Sequence, residues 1–253
     1  MNITAKHKKR LWPIVGFMVF LVGFVYAVLP FYSIHYKVTV TVDTPEGEKT
    51  GYAVREISNG SFNELPGIDA ISINPTDVEG EAVVVDLGER GVLFALISED
   101  HDQDEFYQAF GAKDGNSTRE GVRHFLHLSL QSLFHFGDYG DVHAYTPYMY
   151  VMFTDINDPE SVVQLVENEQ KVKKYKEELK RDRVQTFKEA FGDGVSYPDA
   201  TLQMTDDPLT WRVRDYLPWI DDLWSGFLDG QRLGGGPHLS NILHVGYFAE
   251  KYG

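Results

Sequence analysis

Three histidines lie in a segment whose apolar residues recur with a helical period, which predicts a helix over residues 119–136. His124, His127 and His135 then share one face of that helix, and two histidines three residues apart can chelate a metal ion. The HExxH pattern of helix-borne zinc catalysis is absent from the sequence. A plain polar face of an amphipathic helix and a pH-sensitive contact therefore stay open as alternatives to a metal site.

An acidic cluster at residues 155–160 has the oxygen ligands of a calcium loop, but it lacks the central Gly and the distal Glu of an EF-hand. Its Asp158-Pro159 pair, like Asp207-Pro208 further along the chain, is more typical of a helix N-cap followed by proline at the first helical position. We therefore interpret this cluster as a cap.

Other catalytic signatures are missing from the sequence. The chain has no cysteine, which excludes thiol catalysis, disulfides and Cys-type zinc sites. It also has no GxSxG elbow, no P-loop and no GxGxxG after a predicted strand. These absences favour a non-catalytic protein that needs no cofactor. A ligand-binding domain, a metal-binding domain or an unrecognised hydrolase using the His124, His127 and His135 face remains the alternative.

A long uncharged segment follows the basic N-terminus. Residues 11–32 contain no charged side chain, and at about 1.5 Å per helical residue they can cross a hydrocarbon core of about 30 Å. The first ten residues hold four Lys and Arg and no acid, which predicts a cytoplasmic tail at residues 1–10. Residues 33–253 are then expected on the opposite side of the membrane.

A cleaved signal peptide is the competing interpretation of this segment, because Val25-Tyr26-Ala27 forms an acceptable cleavage site. The apolar run continues past that point to Tyr32, which favours a retained anchor. Gly16, Gly23 and Ala27 share one face of the predicted span, and small residues at such spacing let two membrane helices approach closely. We expect this face to dock on an integral membrane partner, although small residues are also common in membrane helices generally.

The chain is acidic, with 38 Asp and Glu against 23 Lys and Arg and a formal net charge of −15. Because the basic residues of the N-terminal tail are included in that total, the predicted outer domain is more negative still. Such a surface repels phosphate backbones, so nucleic acid is not expected as a partner.

Strand patterns dominate the first half of the predicted outer domain and helical patterns the second. Two hairpins are predicted, over residues 34–57 and 81–97, with further strands at 148–153 and 200–204. The strands of the second hairpin are apolar on both faces, which predicts that they are covered on each side. A final helical stretch is predicted from Leu217. We therefore expect one α+β domain at residues 33–253, with a mainly antiparallel sheet and packed helices.

Two features of the second half are candidate contact sites. Residues 168–191 predict one long charged helix with eight Lys and Arg side chains. This helix is either an arm that binds an acidic partner or lipid headgroups, or a solvated helix with internal ion pairs. Trp211, Trp219 and Trp224 are candidate partner contacts, because tryptophan is enriched in binding anchors, although such residues also serve as core.

Six short motifs follow one another along most of the chain: Thr44-Pro-Glu-Gly47, residues 80–87, residues 153–162, Phe191-Gly-Asp-Gly-Val195, Thr205-Asp-Asp-Pro208 and Leu217-Pro-Trp219. In this order they resemble a family of uncharacterised single-span envelope proteins of proteobacteria. Relative to that family, residues 168–191 resemble an insertion. The resemblance implies a bacterial inner-membrane protein with a periplasmic C-terminal domain, and it implies no activity. Our expectation is a non-catalytic accessory or interaction subunit of a larger inner-membrane complex.

Overall fold

The computed structural model describes residues 15–18, 31–60, 76–97, 133–135, 148–223 and 226–250. Eleven strands in this part of the chain form two sheets, and the helices are few and short. All but one of the strand pairings within the sheets are antiparallel. The predicted α+β class with mainly antiparallel sheet is confirmed, with two sheets where one was expected.

The first sheet is built around the hairpin of β1 (Phe31–Thr44) and β2 (Gly47–Gly60). Its strand order is β11-β3-β2-β1-β10-β6, with β3 at Thr76–Glu81, β6 at Leu133–His135, β10 at Asp199–Met204 and β11 at Ala249–Glu250. Alternate residues of β1 from Ile34 to Val42 are buried, as the period-2 pattern predicts. The predicted hairpin is confirmed, and its strands are longer than expected.

The second sheet contains β4 (Val83–Asp86), β5 (Val92–Ala95), β7 (Tyr150–Phe153), β8 (Val162–Val166) and β9 (Val184–Thr186), in that order. A 3-10 turn at Gly88–Arg90 joins β4 to β5, which confirms the second predicted hairpin. The pairing of β8 with β9 is the parallel one.

Two apolar layers hold the fold together. One lies between the sheets and joins the inner face of β1 to β4, β5, β7 and β8. The other lies on the opposite face of the second sheet, where Phe94, Val151 and Phe153 pack under the C-terminal segment at residues 213–249. The second sheet is thus covered on both faces, as predicted from strands whose side chains are apolar on both faces.

The C-terminal segment covers its sheet with short turns. Its helices are α3 (Val213–Tyr216) and the 3-10 turns Ile220–Leu223, Leu239–Asn241 and Val245–Tyr247. Pro218, Pro237 and the glycines at 234–236 interrupt any longer helix. The sequence-based expectation of a final helical stretch after Leu217 is therefore wrong.

The predicted helix over 119–136 is wrong at its end, because Leu133–His135 form β6 and pair with Thr201–Gln203 of β10. The backbone of these residues pairs with β10 in the sheet, so long-range pairing overrides the helical period of the sequence. Residues 119–132, including His124 and His127, lie outside the described residues. His135 consequently does not share a helix face with them.

The predicted helix over 168–191 is also wrong as a single element. Helix α1 (Glu169–Glu177) is followed by a break, by strand β9 and by helix α2 (Phe187–Phe191). Lys180 has φ 55°, in the left-handed region that no regular helix contains. The β-branched Val184 and Thr186 gain burial by pairing with β8, which a solvated helix could not provide.

Only residues 15–18 of the predicted membrane span are described before the first sheet, and they are helical. Within the part of the chain that the structure describes, no helix combines the length and the apolar character needed to cross a bilayer. Phe31 and Tyr32, the last two residues of the predicted span at 11–32, belong to β1. Residues 19–30, with Gly23 and Ala27, lie outside the described residues, as does Trp224.

Candidate functional site

The predicted metal site is not assembled by the described residues. His135 stands in β6 opposite Thr201, and within the described residues no group of three His, Asp or Glu side chains is placed to hold a metal ion. The acidic cluster at 155–160 serves as a cap, as expected. The Asp158 carboxylate accepts the Glu160 N–H at 3.0 Å, directly before the 3-10 turn Pro159–Ser161.

The two described tryptophans of the predicted contact set are half-buried against the outer apolar layer. The Trp219 ring packs edge-on against Phe153 at 5.4 Å between centroids, and its Nε1–H donates to the Ile156 carbonyl at 2.8 Å. Trp211 lies 5.8 Å from the Arg214 guanidinium. Both rings therefore contribute to the packing of the C-terminal segment on the second sheet.

The N-terminal side of the fold exposes apolar surface. In the helical residues 15–18, Val15, Phe17 and Met18 are 51%, 64% and 63% exposed. Gly16 lies between them, and a Cβ built there meets no atom within 4 Å. These side chains belong to neither of the two apolar layers of the sheets.

At the opposite end of the β1–β2 hairpin, Arg90 joins three loops. Its guanidinium donates twice to the Glu46 carboxylate, at 2.8 Å each, and once to the Phe191 carbonyl at 2.7 Å. These hydrogen bonds from Arg90 lower the pKa of Glu46 to about 2. We call this contact of Glu46, Arg90 and Phe191 the tip clamp. It holds the β1–β2 turn, the β4–β5 turn and the end of α2 in one arrangement.

A segment at residues 205–212, which we call the strap, crosses the outer face of the first sheet from the end of β10 to the edge of β2. His35 contacts it through Nδ1 at 2.8 Å from the Asp207 carbonyl oxygen, and Lys37 pairs with the Asp207 carboxylate at 3.2 Å. Hydrogen bonding to Lys37, and then to Thr205, holds the pKa of Asp207 below its usual value.

The strap ends in contacts to the edge of β2 and to β3. The Val54 N–H donates to Thr210 Oγ1 at 3.0 Å, and the Arg212 guanidinium lies 4.1 Å from the Tyr52 ring centroid. The next residue, Val213, donates its N–H to the buried Glu81 carboxylate at 2.7 Å. The strap thus carries the chain from the first sheet to the segment that covers the second. No helix follows Asp207-Pro208 directly, so the predicted N-cap at Asp207 is wrong.

One arginine is buried between the sheets. Arg55 has no exposed surface, and its Nε and Nη2 donate to the carbonyl oxygens of Glu81 and Ala95 at 2.9 and 3.3 Å. The Tyr148 ring lies 5.3 Å from its guanidinium carbon. Arg55 thereby ties β2 to β3 and to β5. Sequence analysis missed it, although it alternates with Ala53 and Ile57 on the inward face of β2 and could have been found by that period.

Asp182 and His238 form a carboxylate–imidazole pair, an arrangement that a catalytic triad contains. His238 Nδ1 lies 2.7 Å from Asp182 Oδ2, and the Leu239 N–H donates to the other Asp182 oxygen at 3.2 Å. Burial raises the pKa of Asp182, but these hydrogen bonds outweigh it and the pKa is lowered. A triad would require a hydroxyl on His238 Nε2, and the described residues show none. The pair instead fastens the α1–β9 connection to the C-terminal segment.

Scans of the chain against protein-family models, curated proteins and solved structures give no match.

Proposed function

We propose that the chain is a single-pass, non-catalytic accessory or interaction subunit of a larger bacterial inner-membrane complex. In this proposal residues 1–10 are cytoplasmic, the apolar segment is the anchor, and the sheet domain lies in the periplasm, where it caps or stabilises the partner. One observation carries the proposal. The uncharged segment that begins at residue 11 runs directly into β1, and its described residues expose apolar side chains that the sheet domain leaves uncovered.

The exposed apolar side chains support the anchor. Exposed apolar side chains on a helical turn are costly in water, and a hydrocarbon core is the environment in which they cost nothing. Val15, Phe17 and Met18 are more than half exposed, and the neighbouring residues in sequence are equally uncharged. The tail of four basic residues before them supports a cytoplasmic N-terminus by the positive-inside rule.

The arrangement of the ionisable side chains supports an interaction role. Four of the described arginine and histidine side chains join one element of the fold to another: Arg90 at the tip clamp, His35 at the strap, Arg55 between the sheets and His238 at Asp182. Each of these contacts has a structural purpose that requires no substrate. The partner is expected to dock on the small-residue face of the anchor, at Gly16, Gly23 and Ala27.

The test is purification of the tagged full chain from native membranes in mild detergent, with mass spectrometry of the proteins that accompany it. We expect an integral membrane protein in stoichiometric amount. Gly23→Leu should reduce its yield, because a bulky residue separates packed helices, whereas Phe17→Leu should leave the yield unchanged. Recovery of the chain alone at the mildest extraction would contradict the accessory-subunit proposal. Release of the chain from membranes by alkaline carbonate would contradict the anchor.

A further inference from the structure

The imidazole of His35 lies between two hydrogen-bond acceptors on the outer face of the first sheet. Its Nδ1 is 2.8 Å from the main-chain carbonyl oxygen of Asp207 in the strap, and its Nε2 is 2.9 Å from Oε2 of Glu56 on β2. A carbonyl oxygen and an ionised carboxylate can only accept hydrogen bonds. A neutral imidazole has one N–H and can donate to one of them, whereas an imidazolium has two and can donate to both. Both contacts of His35 are therefore hydrogen bonds only when an additional proton is present.

Four described ionisable side chains surround this imidazole on the outer face: Lys37 on β1, Glu56 on β2, Glu79 opposite Glu56 on β3, and Asp207 on the strap. Of all these side-chain types, only imidazole ordinarily changes its charge between about pH 5 and 8. The Asp207 carboxylate is paired with Lys37 at 3.2 Å, and this pairing helps to hold the pKa of Asp207 below its usual value. A change of contact at the strap across this pH range is therefore assigned to His35.

The strap occupies the edge of β2 at Val54, on the outer face of the sheet. The Val54 N–H donates to Thr210 Oγ1, and the Val54 carbonyl oxygen accepts the Thr210 N–H at 3.3 Å. Strand β3 pairs with β2 only from Glu56 to Asn59, so the strap takes the place of a neighbouring strand here. Val54 is only 1% exposed in this arrangement. Opening of the strap would uncover this edge without disturbing the layer between the sheets.

We propose that His35 is a proton-operated latch that fastens the strap to the first sheet when the imidazole is charged and loosens it when the imidazole is neutral. The imidazolium joins the Asp207 carbonyl to the Glu56 carboxylate. Loss of the proton leaves a lone pair of one ring nitrogen against an acceptor, so one of the two hydrogen bonds is lost. The contribution of the latch is therefore present at acid pH and disappears as the pH rises.

The remaining contacts determine how far the latch acts. The pair of Lys37 with Asp207 and the contacts of Thr210 with Val54 need no proton on His35, so they hold the strap at both pH values. The change is consequently in how often the strap opens locally, and the fold itself is kept. The latch depends neither on the membrane anchor nor on a partner.

The test is amide hydrogen exchange of the full chain in detergent at about pH 5 and about pH 8, on either side of the imidazole range. Mass spectrometry of peptides that cover residues 205–213 gives the exchange rates, and division by the intrinsic rates at each pH gives protection factors. We expect the protection of the strap to fall roughly tenfold from the lower to the higher pH, as for the loss of one hydrogen bond to a charged group. Peptides from β7 and β8 should keep their protection. Equal protection of the strap at both pH values would overturn the latch.

Glu56→Gln tests the acceptor on the sheet. The introduced amide can donate to Nε2 of a neutral imidazole while Nδ1–H donates to the Asp207 carbonyl, so both contacts are made without the additional proton. We therefore expect Glu56→Gln to keep the strap protected at both pH values. His35→Gln, which removes the titrating ring, should give weak protection at both and no dependence on pH.

His238→Gln is the matched control, because it removes an imidazole–carboxylate contact elsewhere in the fold, to Asp182 at 2.7 Å. It should retain the tenfold fall, and disappearance of the fall in this variant would overturn the assignment to His35. Persistence of the fall in Glu56→Gln or in His35→Gln would overturn the latch, since another group would then be the one that titrates. The wild-type chain and Glu56→Gln decide the question even if His35→Gln is unstable, because both keep the imidazole.

Discussion

Arg90 shows at the scale of one residue how this fold fixes its loops. The planar guanidinium makes two hydrogen bonds to the Glu46 carboxylate and a third to the Phe191 carbonyl, a pattern that a lysine ammonium cannot reproduce. Gly51 contributes in a different way: because it has no side chain, the backbone of β2 can approach that of β4. A Cβ built at Gly51 would lie 2.0 Å from the Val84 carbonyl oxygen.

Replacing Arg90 should change the titration of Glu46. In the wild-type chain hydrogen bonds from Arg90 hold the Glu46 pKa at about 2, and in Arg90→Gln we expect it to return toward 4.5. A lowered pKa means that the contact stabilises the fold above the ordinary pKa of Glu, and that this contribution is lost as the pH falls toward about 2. Carboxyl NMR titration measures the change. Arg214→Gln, at another exposed ion pair, should leave Glu46 unaffected, and an unshifted Glu46 in Arg90→Gln would contradict the assignment.

Gly51→Ala should lower the free energy of unfolding by about 1–3 kcal/mol, because the added methyl group forces the backbones of β2 and β4 apart. Urea denaturation of the full chain in detergent measures the loss. Thr50→Ala is the matched control, since Thr50 is exposed on the same strand and its loss should cost less than about 0.5 kcal/mol. Equal stability of the two variants would show that the strands do not need this close approach.

At the scale of elements, the connection between β8 and β9 shows how a helical sequence is interrupted. Helix α1 begins at the Asn168 cap, whose side chain accepts the Lys171 N–H at 3.0 Å. None of its residues is fully buried, so tertiary packing adds little to its stability. The chain then turns through Lys180 in a left-handed conformation, and the Arg181 N–H donates to the Tyr175 carbonyl at 3.0 Å. This turn directs residues 184–186 onto the sheet.

Lys180→Gly should raise the free energy of unfolding by up to about 1 kcal/mol, because glycine adopts the left-handed conformation without the steric cost that lysine incurs. Lys176→Gly, within α1, should lower the free energy by about 1 kcal/mol for the usual loss of helix propensity. Chemical denaturation of both variants separates the two effects. A loss of stability in Lys180→Gly similar to that in Lys176→Gly would show that residue 180 belongs to a continuous helix in solution.

At the scale of the whole molecule, three layers are stacked: the first sheet, the second sheet and the C-terminal segment. The strap and the buried Arg55 connect these layers at different places. Residues 205–212 pass over the outside of the first sheet, and Arg55 lies in the apolar layer between the sheets. A buried guanidinium is tolerated only where hydrogen-bond acceptors meet it, and the carbonyls of Glu81 and Ala95 do so.

Arg55→Met should lower the free energy of unfolding by about 3 kcal/mol, because it keeps the apolar stem but leaves two buried carbonyl oxygens without their donor. Arg232→Met, at an exposed position, should change it by less than about 0.5 kcal/mol. Urea denaturation of the full chain gives both values. A stable Arg55→Met variant would mean that an apolar side chain can replace this connection between the sheets.

Local sequence patterns are enough to predict the elements whose pattern agrees with their final surroundings. The alternation from Ile34 to Val42, the apolar runs of β4, β5 and β7, and the Asp158 cap are all predicted correctly, because the pattern that marks each of them lies in residues close in the chain. The uncharged segment at 11–32 and its topology remain a prediction. Its last two residues belong to β1, which periodicity could not reveal because a strand and a membrane span are both apolar.

The secondary structure of each ambiguous segment depends on its tertiary contacts. Residues 133–135 and 184–186 continue helical patterns in the sequence, yet each becomes a strand, because pairing with β10 or β8 satisfies its backbone and the sequence does not record that partner. The positions of Arg55, Arg90 and the strap likewise depend on strands distant in the chain. Local propensity is set by neighbours, whereas hydrogen-bond partners across a sheet are set by the fold as a whole.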